Sequence, residues 1–333
     1  MKKCWLLLVM AIAALQVYGG VYRHDVSPEK YKKLAREKQF DCVGMVLTNC
    51  GVDYHGDCKF RGSCVLIGKK YVLTAAHCIT HVDIRLDTFY LDQNRKRVDS
   101  PVKGGAMLIL NQPVATCSDT TANFSFRFKD RLYYAVKWQI YKPYLDSVNA
   151  KPGVNFCGDL ALVELTDTVE GVIPANLNVA FDEQGAIITG VGYGISGAAN
   201  RVDDLGPFCE KIAGQNMADS IEGYKVKGIP SLLSYDFDSP TDTGYNHMGS
   251  AKPLPLEWSP AAGDSGGGVF RNYHGHWQLV GIIVGGPHSG YNSESDRKNC
   301  YGGIASCERI SVFNDWIRET MSGFDVADMQ AVH

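Results

Sequence analysis

Residues 72–78 read Val72-Leu73-Thr74-Ala75-Ala76-His77-Cys78. A short apolar run of strand character ends there in small residues and delivers one histidine. The two alanines leave room for other backbone to come close to the imidazole. Apolar runs of similar length recur beyond Phe40 at 64–67, 71–73, 160–163, 186–188 and 279–284, bounded by Gly, Asp, Asn and Pro. Short runs between turn formers predict strands, and many such strands predict an all-β fold of barrel or sandwich type.

Two further stretches carry chemistry of the same kind. Gly158-Asp159-Leu160-Ala161-Leu162-Val163 opens an apolar strand with an aspartate. Gly263-Asp264-Ser265-Gly266-Gly267-Gly268 sets a serine among residues without Cβ, where backbone turns sharply and a carbonyl can approach main-chain N–H groups. No Gly-Lys-Ser/Thr pattern accompanies the glycines, so a phosphate-binding loop is not indicated.

The order His77, Asp159, Ser265, with these flanks, resembles the chymotrypsin-like serine peptidases. Thr74-Ala75-Ala76-His77-Cys78 and Gly263-Asp264-Ser265-Gly266-Gly267 are the strongest motifs of the resemblance. Asp159-Leu160-Ala161-Leu162, Thr189-Gly190-Val191-Gly192-Tyr193-Gly194 and the terminal Asp315-Trp316-Ile317 support it. The resemblance implies two six-stranded antiparallel β-barrels over residues 40–320, the first about 40–170 and the second about 178–310. A C-terminal helix over 311–321 and an active-site cleft between the barrels complete the expectation. It implies catalysis by His77, Asp159 and Ser265, with an oxyanion hole from the N–H groups of Gly263 and Ser265. A hydroxyl is a weak nucleophile at neutral pH and needs a base within reach, the role expected of His77. Asp159 would hold the imidazole tautomer and stabilise the imidazolium. No cofactor or metal is expected. An α/β-hydrolase would place its histidine after its serine, opposite to this chain. A catalytically silent homologue acting as a binding module is the alternative, although His77, Asp159 and Ser265 are all retained.

The chain departs from that family in three places. No Ile-Val-Gly-Gly type sequence follows a basic residue, yet Asp264 is present, which in the family pairs with the new α-ammonium. The partner expected here is either the terminus left by signal cleavage, Gly20 or Val21, or an internal cation such as Arg23 or His24. Ser259 stands at the base of the expected specificity pocket, with Gly286 and Gly303 as its walls, so cleavage after uncharged residues is expected. Ala261 replaces a bracing cysteine, and Val284 removes a hydroxyl that often supports the catalytic aspartate. Asp296 or Glu294 would be the source of any charge in the pocket. The wide interval between His77 and Asp159 predicts an insertion near 91–150.

Composition agrees with an exported globular chain. It has 333 residues, 45% hydrophobic and 21% charged, with net charge −3. Removing 1–20 takes Lys2 and Lys3 and leaves a weakly acidic protein, which gives no electrostatic case for nucleic acid or anionic membrane. Lys2-Lys3, the apolar run 4–15 and the small residues Gly19-Gly20 form a signal-peptide pattern over 1–20, too short for a membrane anchor. Secretion is expected, or periplasmic export in a Gram-negative source. Ten of the 11 cysteines follow the leader with no Cys-x-x-Cys pair, which predicts disulfides. Asn123-Phe124-Ser125 is an N-glycosylation sequon. Protein or peptide substrates and a monomeric state are expected.

Outside the barrels, residues 21–39 form an N-terminal segment with a short helix. Ser27 is its expected cap and Pro28 its first turn, followed by Tyr31, Leu34 and Ala35 at helical spacing. Ser311 is the expected cap of the C-terminal helix, whose apolar stripe is Val312, Phe313, Trp316, Ile317 and Met321. The tail 322–333 is expected to fray.

Overall fold

The computed structural model describes residues 20–48, 59–79, 82–91, 97–98, 106–115, 124–150, 158–200, 210–285 and 300–331. All of the expected signal peptide 1–20 but Gly20, Asn123 of the sequon, Gly286, Glu294, Asp296 and five of the ten cysteines beyond it (Cys50, Cys58, Cys117, Cys157 and Cys209) lie outside them.

Strand β1 (Gly20–Tyr22) and helix α1 (Pro28–Ala35) precede the first barrel. Proline at the start of α1 fits the first turn, but the Ser27 side chain makes no capping bond. Then come β2 (Val43–Thr48), β3 (Lys59–Leu66), β4 (Tyr71–Thr74) and the short helix α2 (Ala76–Ile79). Strands β5 (Val82–Leu91), β6 (Arg97–Val98) and β7 (Ala106–Ala115) form a separate three-stranded sheet. Strands β8 (Phe124–Phe128) and β9 (Arg131–Ile140), helix α3 (Lys142–Ala150) and β10 (Ala161–Leu165) follow. A closed six-stranded barrel results, in the order β10-β4-β3-β2-β8-β9. The extra length between His77 and Asp159 is thus largely β5–β7 and α3, and it begins earlier than the expected 91.

Every residue of β4 and β10 is buried. Their outward faces are covered by the rest of the molecule, so their sequences run apolar without alternation. Strand β9 alternates between buried and exposed positions and has one face in water.

The second half contains β11 (Asn176–Leu177), β12 (Ile187–Gly192), β13 (Ser196–Ala198), β14 (Ile212–Met217), β15 (Ser220–Val226), β16 (Ile229–Tyr235), β17 (Trp258–Ser259), β18 (Gly268–Tyr273), β19 (His276–Ile283) and β20 (Ala305–Arg309). A curved sheet runs β14-β12-β18-β19-β20-β16-β15, with β11 against β19. Among the described residues this sheet does not close into a second barrel. Helix α1 packs on β14, where Tyr31 and Ile212 share one apolar cluster, and Gln215 N–H of β14 donates to Leu256 C=O at 2.6 Å, so residues 256–257 partner β14 on its far side. The protein is therefore mostly β, with one closed barrel, one half-barrel sheet and a C-terminal helix.

That helix, α4 (Ile310–Ala331), starts before Ser311 and runs well past 321. Ser311 Oγ is buried without a hydrogen-bond partner among the described residues, so it is not the expected cap. Ile310, Phe313 and Ile317 are fully buried, each worth about 1.5–3 kcal/mol by transfer from water. Phe324 extends the stripe by stacking on Tyr71, and its carbonyl accepts from Lys137 Nζ at 2.9 Å. These contacts lie in the segment 322–333 expected to fray, of which the residues to Ala331 continue the helix. A single apolar cluster joins Val72 and Leu162 of the barrel to Phe270, Leu279 and Ile282 of the second sheet, with α4 against both. Among the described cysteines, Cys42, Cys64, Cys78 and Cys307 are buried free thiols, and no disulfide is formed. No described helix is long and apolar enough to cross a membrane.

Candidate active site

Strand β4 delivers its chain into α2, and His77 is the second residue of that helix. The aspartate arrives beside it because β10 pairs antiparallel with β4, Ala161 opposite Thr74. Gly158, at φ 74°, makes the turn before Asp159, and a Cβ there would lie 2.2 Å from the Tyr141 ring. Only glycine fits that position.

Asp159 is buried and holds the histidine at two points. Its Oδ1 accepts from the His77 backbone N–H at 3.0 Å, and its Oδ2 meets His77 Nδ1 at 2.6 Å. The second bond fixes the tautomer with Nδ1 protonated and leaves Nε2 free to act as a base. Burial works against the charged imidazole, but Asp159 first, and then Cys78, each by charge and by hydrogen bond, outweigh it, so the His77 pKa stands well above its ordinary value. Solvent still reaches 36% of that side chain, which screens the pair in part.

Ser265 lies in the loop between β17 and β18. Gly267 N–H donates to Asp264 C=O at 2.8 Å, and Gly266 N–H donates to Ile283 C=O at 2.6 Å. Gly266, at φ 84°, approaches Ser63 so closely that a Cβ would sit 2.0 Å from its carbonyl oxygen. Ser63 of β3 then bolts this loop to the barrel. Its N–H donates to Ser265 C=O at 2.7 Å and its Oγ donates to Gly263 C=O at 2.9 Å. The same Oγ accepts from Tyr193 N–H at 3.0 Å. The Cys78 thiol also donates to Ser265 C=O, at 3.4 Å. The serine loop is thus seated on β3, through Ser63, and on the helix that carries His77, through Cys78. Among the described residues no hydrogen bond joins Ser265 Oγ to His77. Such bonds are often long without substrate and tighten when it binds. The N–H groups of Gly263 and Ser265 meet no backbone acceptor among the described residues.

Asp264 is fully buried and accepts from Gly194 N–H and Ala261 N–H, each at 2.9 Å. Burial pushes its carboxyl up to about 7. Neither internal cation considered from sequence reaches it. Arg23 binds Asp25 and the Leu254 carbonyl, and His24 Nδ1 meets Tyr301 OH at 2.8 Å. Gly20 does reach it, with its Cβ position 2.9 Å from Asp264 Oδ2.

Among the described residues no hydrogen bond or strand pairing joins the expected pocket residues Ser259 and Gly303. Ser259 is buried on β17, paired with Val21, and its Oγ has no partner among the described residues. Gly303 is buried in the turn before β20, its N–H donating to Cys300 C=O at 3.3 Å. The expected opposite wall, Gly286, is outside the described residues. Sequence reading missed Ser63 and Glu308. Glu308 accepts from Asp159 N–H at 3.0 Å, and in sequence nothing sets it apart from the charged Arg309 beside it. No protein-family model matches the chain, and no curated protein matches it in sequence.

Proposed function

We propose that the protein is a secreted serine endopeptidase that hydrolyses peptide bonds through an acyl-enzyme, and that its open second sheet is the counterpart of the second barrel of chymotrypsin-like peptidases. The observation that carries this reading is the 2.6 Å contact of His77 Nδ1 with buried Asp159, beside a serine loop tied to the same barrel through Ser63.

In this scheme His77 Nε2 takes the proton from Ser265 Oγ as the oxygen attacks the substrate carbonyl. The charge that develops on the carbonyl oxygen is met by the N–H groups of Gly263 and Ser265, each typically worth about 10²–10³ in rate. His77 then gives its proton to the leaving amine, and the acyl-enzyme is hydrolysed by water activated in the same way. Asp159, bonded to His77 Nδ1, orients the ring and stabilises the imidazolium. Ser259, Gly303 and Gly286 would form a pocket without charge at its floor, suited to apolar or aromatic side chains. Substrates are proteins or peptides, with no metal, cofactor or nucleic acid required.

Labelling with a fluorophosphonate, followed by peptide mapping, tests the proposal. Modification at Ser265 is expected, together with a loss of turnover on the order of 10⁶ in Ser265→Ala. An unlabelled wild-type protein, or full turnover in a purified, folded Ser265→Ala variant, would sink it.

A further inference from the structure

Glu308 is 1% exposed and sits on β20 opposite Leu232 and Ile282. A carboxyl in such a place is costly unless its oxygens are bonded. Both are. Oε1 accepts from Asp159 N–H at 3.0 Å, and Oε2 accepts from Tyr224 OH at 2.8 Å. The neighbours of Glu308 along the strand turn elsewhere, Cys307 Sγ toward the Leu233 carbonyl and Arg309 to Glu183. Glu308 therefore reaches from the second sheet across to the turn that carries Asp159 in the first barrel.

We propose that Glu308, braced by Tyr224, is a positioning residue that clamps the Gly158–Asp159 turn and holds the Asp159 carboxylate in register with His77. This rests on the reading that His77 and Asp159 are catalytic. The Asp159 side chain is fixed to His77, and its carbonyl accepts from Ala76 N–H at 3.3 Å, but both anchors belong to the first barrel. Glu308 supplies the anchor from the second half, which also carries Ser265. It thereby couples Asp159 to the side of the cleft where the nucleophile sits. Removing it leaves a buried N–H unpaired at the residue whose placement matters most.

Two titratable groups face the carboxyl, Tyr224 from β15 and Asp159 from the loop before β10. Burial first, and then the Asp159 charge, push it up to about 8. In either protonation state Oε1 remains an acceptor for Asp159 N–H. Ionisation adds a negative charge beside Asp159, which favours the protonated form of His77.

The test compares Glu308→Ala, Glu308→Gln and Tyr224→Phe in the full processed protein. Three readouts serve: steady-state kinetics, the rate of Ser265 phosphonylation, and the far-downfield proton resonance of the His77 Nδ1–H bond. Misplacement by about 1 Å is typically worth about 10²-fold, so Glu308→Ala is expected to lose about 10–100-fold in kcat and in labelling rate, with little change in KM. Its Nδ1–H resonance should broaden or disappear. Glu308→Gln, which still accepts from Asp159 N–H and can donate to Tyr224, should recover most of the loss. It should also lack any inflection near pH 8 in the titration of that resonance. If Glu308→Ala fails to fold, Tyr224→Phe carries the test, with a smaller loss in kcat and a weakened resonance. Wild-type kcat and an intact resonance in Glu308→Ala, or in Tyr224→Phe where Ala does not fold, overturn the proposal. So does a loss that Gln leaves unrescued. A wild-type protein without turnover or labelling refutes the peptidase reading instead, while the resonance still reports on the clamp.

Discussion

Gly20 lies against the buried carboxylate of Asp264, its Cβ position 2.9 Å from Oδ2 and 3.1 Å from Trp258 Nε1. Both neighbours are short of partners. Among the described residues, Asp264 has two backbone donors and no cation beside it, and Trp258 Nε1 has no hydrogen-bond partner. Strand β1 fixes Gly20 from both sides, against Ser196 of β13 and, through Val21, against Ser259 of β17. If signal cleavage falls after Gly19, the new α-ammonium would arise where Asp264 lacks a counter-charge. Protein starting at Gly20 is expected to be active without further processing. One extra residue at the start should reduce active-site titre at least tenfold, because the charge is then displaced from a slot with no spare room. Asp264→Asn should behave similarly by misplacing the Gly263 N–H. Equal activity of the extended and Gly20 forms in a burst titration would refute this. So would an active form whose mass places its start well inside the chain, for example after Lys38 or Arg61.

The acid limb of activity reports on His77. Its pKa is raised above 6.5, with burial opposing and the Asp159 charge prevailing. A base must be unprotonated to act, so kcat/KM is expected to fall as pH drops through a value above 6.5. Asp159→Asn removes the charge and reverses the preferred tautomer. It should move that limb to lower pH and cut kcat by about 10⁴, the loss seen for the same change in a well-studied triad. An acid limb that stays in place in Asp159→Asn would separate His77 from the observed ionisation.

Ser63 joins the serine loop to the barrel through one hydroxyl. Ser63→Ala removes the partner of Gly263 C=O and Tyr193 N–H in a half-buried place, at a cost of at most about 1–3 kcal/mol for each group left unsatisfied. The backbone bond from Ser63 N–H to Ser265 C=O survives the substitution, so the loop stays attached while Gly263 loosens. The expected result is a lower kcat, by about tenfold or more through a weakened oxyanion hole, with KM little changed. A variant that loses only thermal stability, with wild-type kcat per folded molecule, would show that Ser63 serves packing alone.

The strands around the triad were legible because of how they are buried. β4 and β10 have no exposed face, so their apolar runs stand out at 71–73 and 160–163. The sheet of β5–β7 was read as an undefined insertion, although residues 82–87 alternate apolar and charged side chains as a half-exposed strand does. The C-terminal helix was placed correctly but cut short. Its continuation depends on Phe324 finding Tyr71, a contact that helix periodicity does not signal. The second sheet stays open among the described residues, with residues 256–257 meeting β14 on its far side, a pairing from outside the regular strands that strand patterning alone cannot foresee. Within the site, His77, Asp159, Ser265 and Asp264 were named from their flanks, and His77 and Asp159 meet as expected. Ser63 and Glu308 were not. Each acts on a partner far along the chain, and a serine in a strand or a glutamate before a helix carries no local mark of that partner.

Stability should fall, not rise, as pH climbs through neutrality. Burial, the largest cause in each case, pushes Asp219 up to about 6, Asp238 and Asp264 to about 7, Glu308 to about 8 and Glu257 to about 9. Asp219, Asp236, Asp238 and Glu257 also repel one another. In the unfolded chain all of these groups titrate near 4. Between about pH 4 and 9 the folded state therefore holds more protons than the unfolded state, and stability declines with pH over that window. The contribution is complete below the unfolded pKa values and is lost as pH rises through the folded ones. The urea midpoint at fixed ionic strength is expected to be higher at pH 5 than at pH 8.5. Asp238→Asn and Glu257→Gln should each flatten the slope, and a midpoint that climbs from pH 5 to pH 8.5 would refute the assignment. Asp264 gives the measurement a second use. In a chain with residues ahead of Gly20 it adds to the decline. In the form starting at Gly20, an ammonium beside it would lower its pKa and remove that share. The Gly20 form should thus show the shallower slope, and identical slopes in the two forms would mean that the new terminus never reaches Asp264.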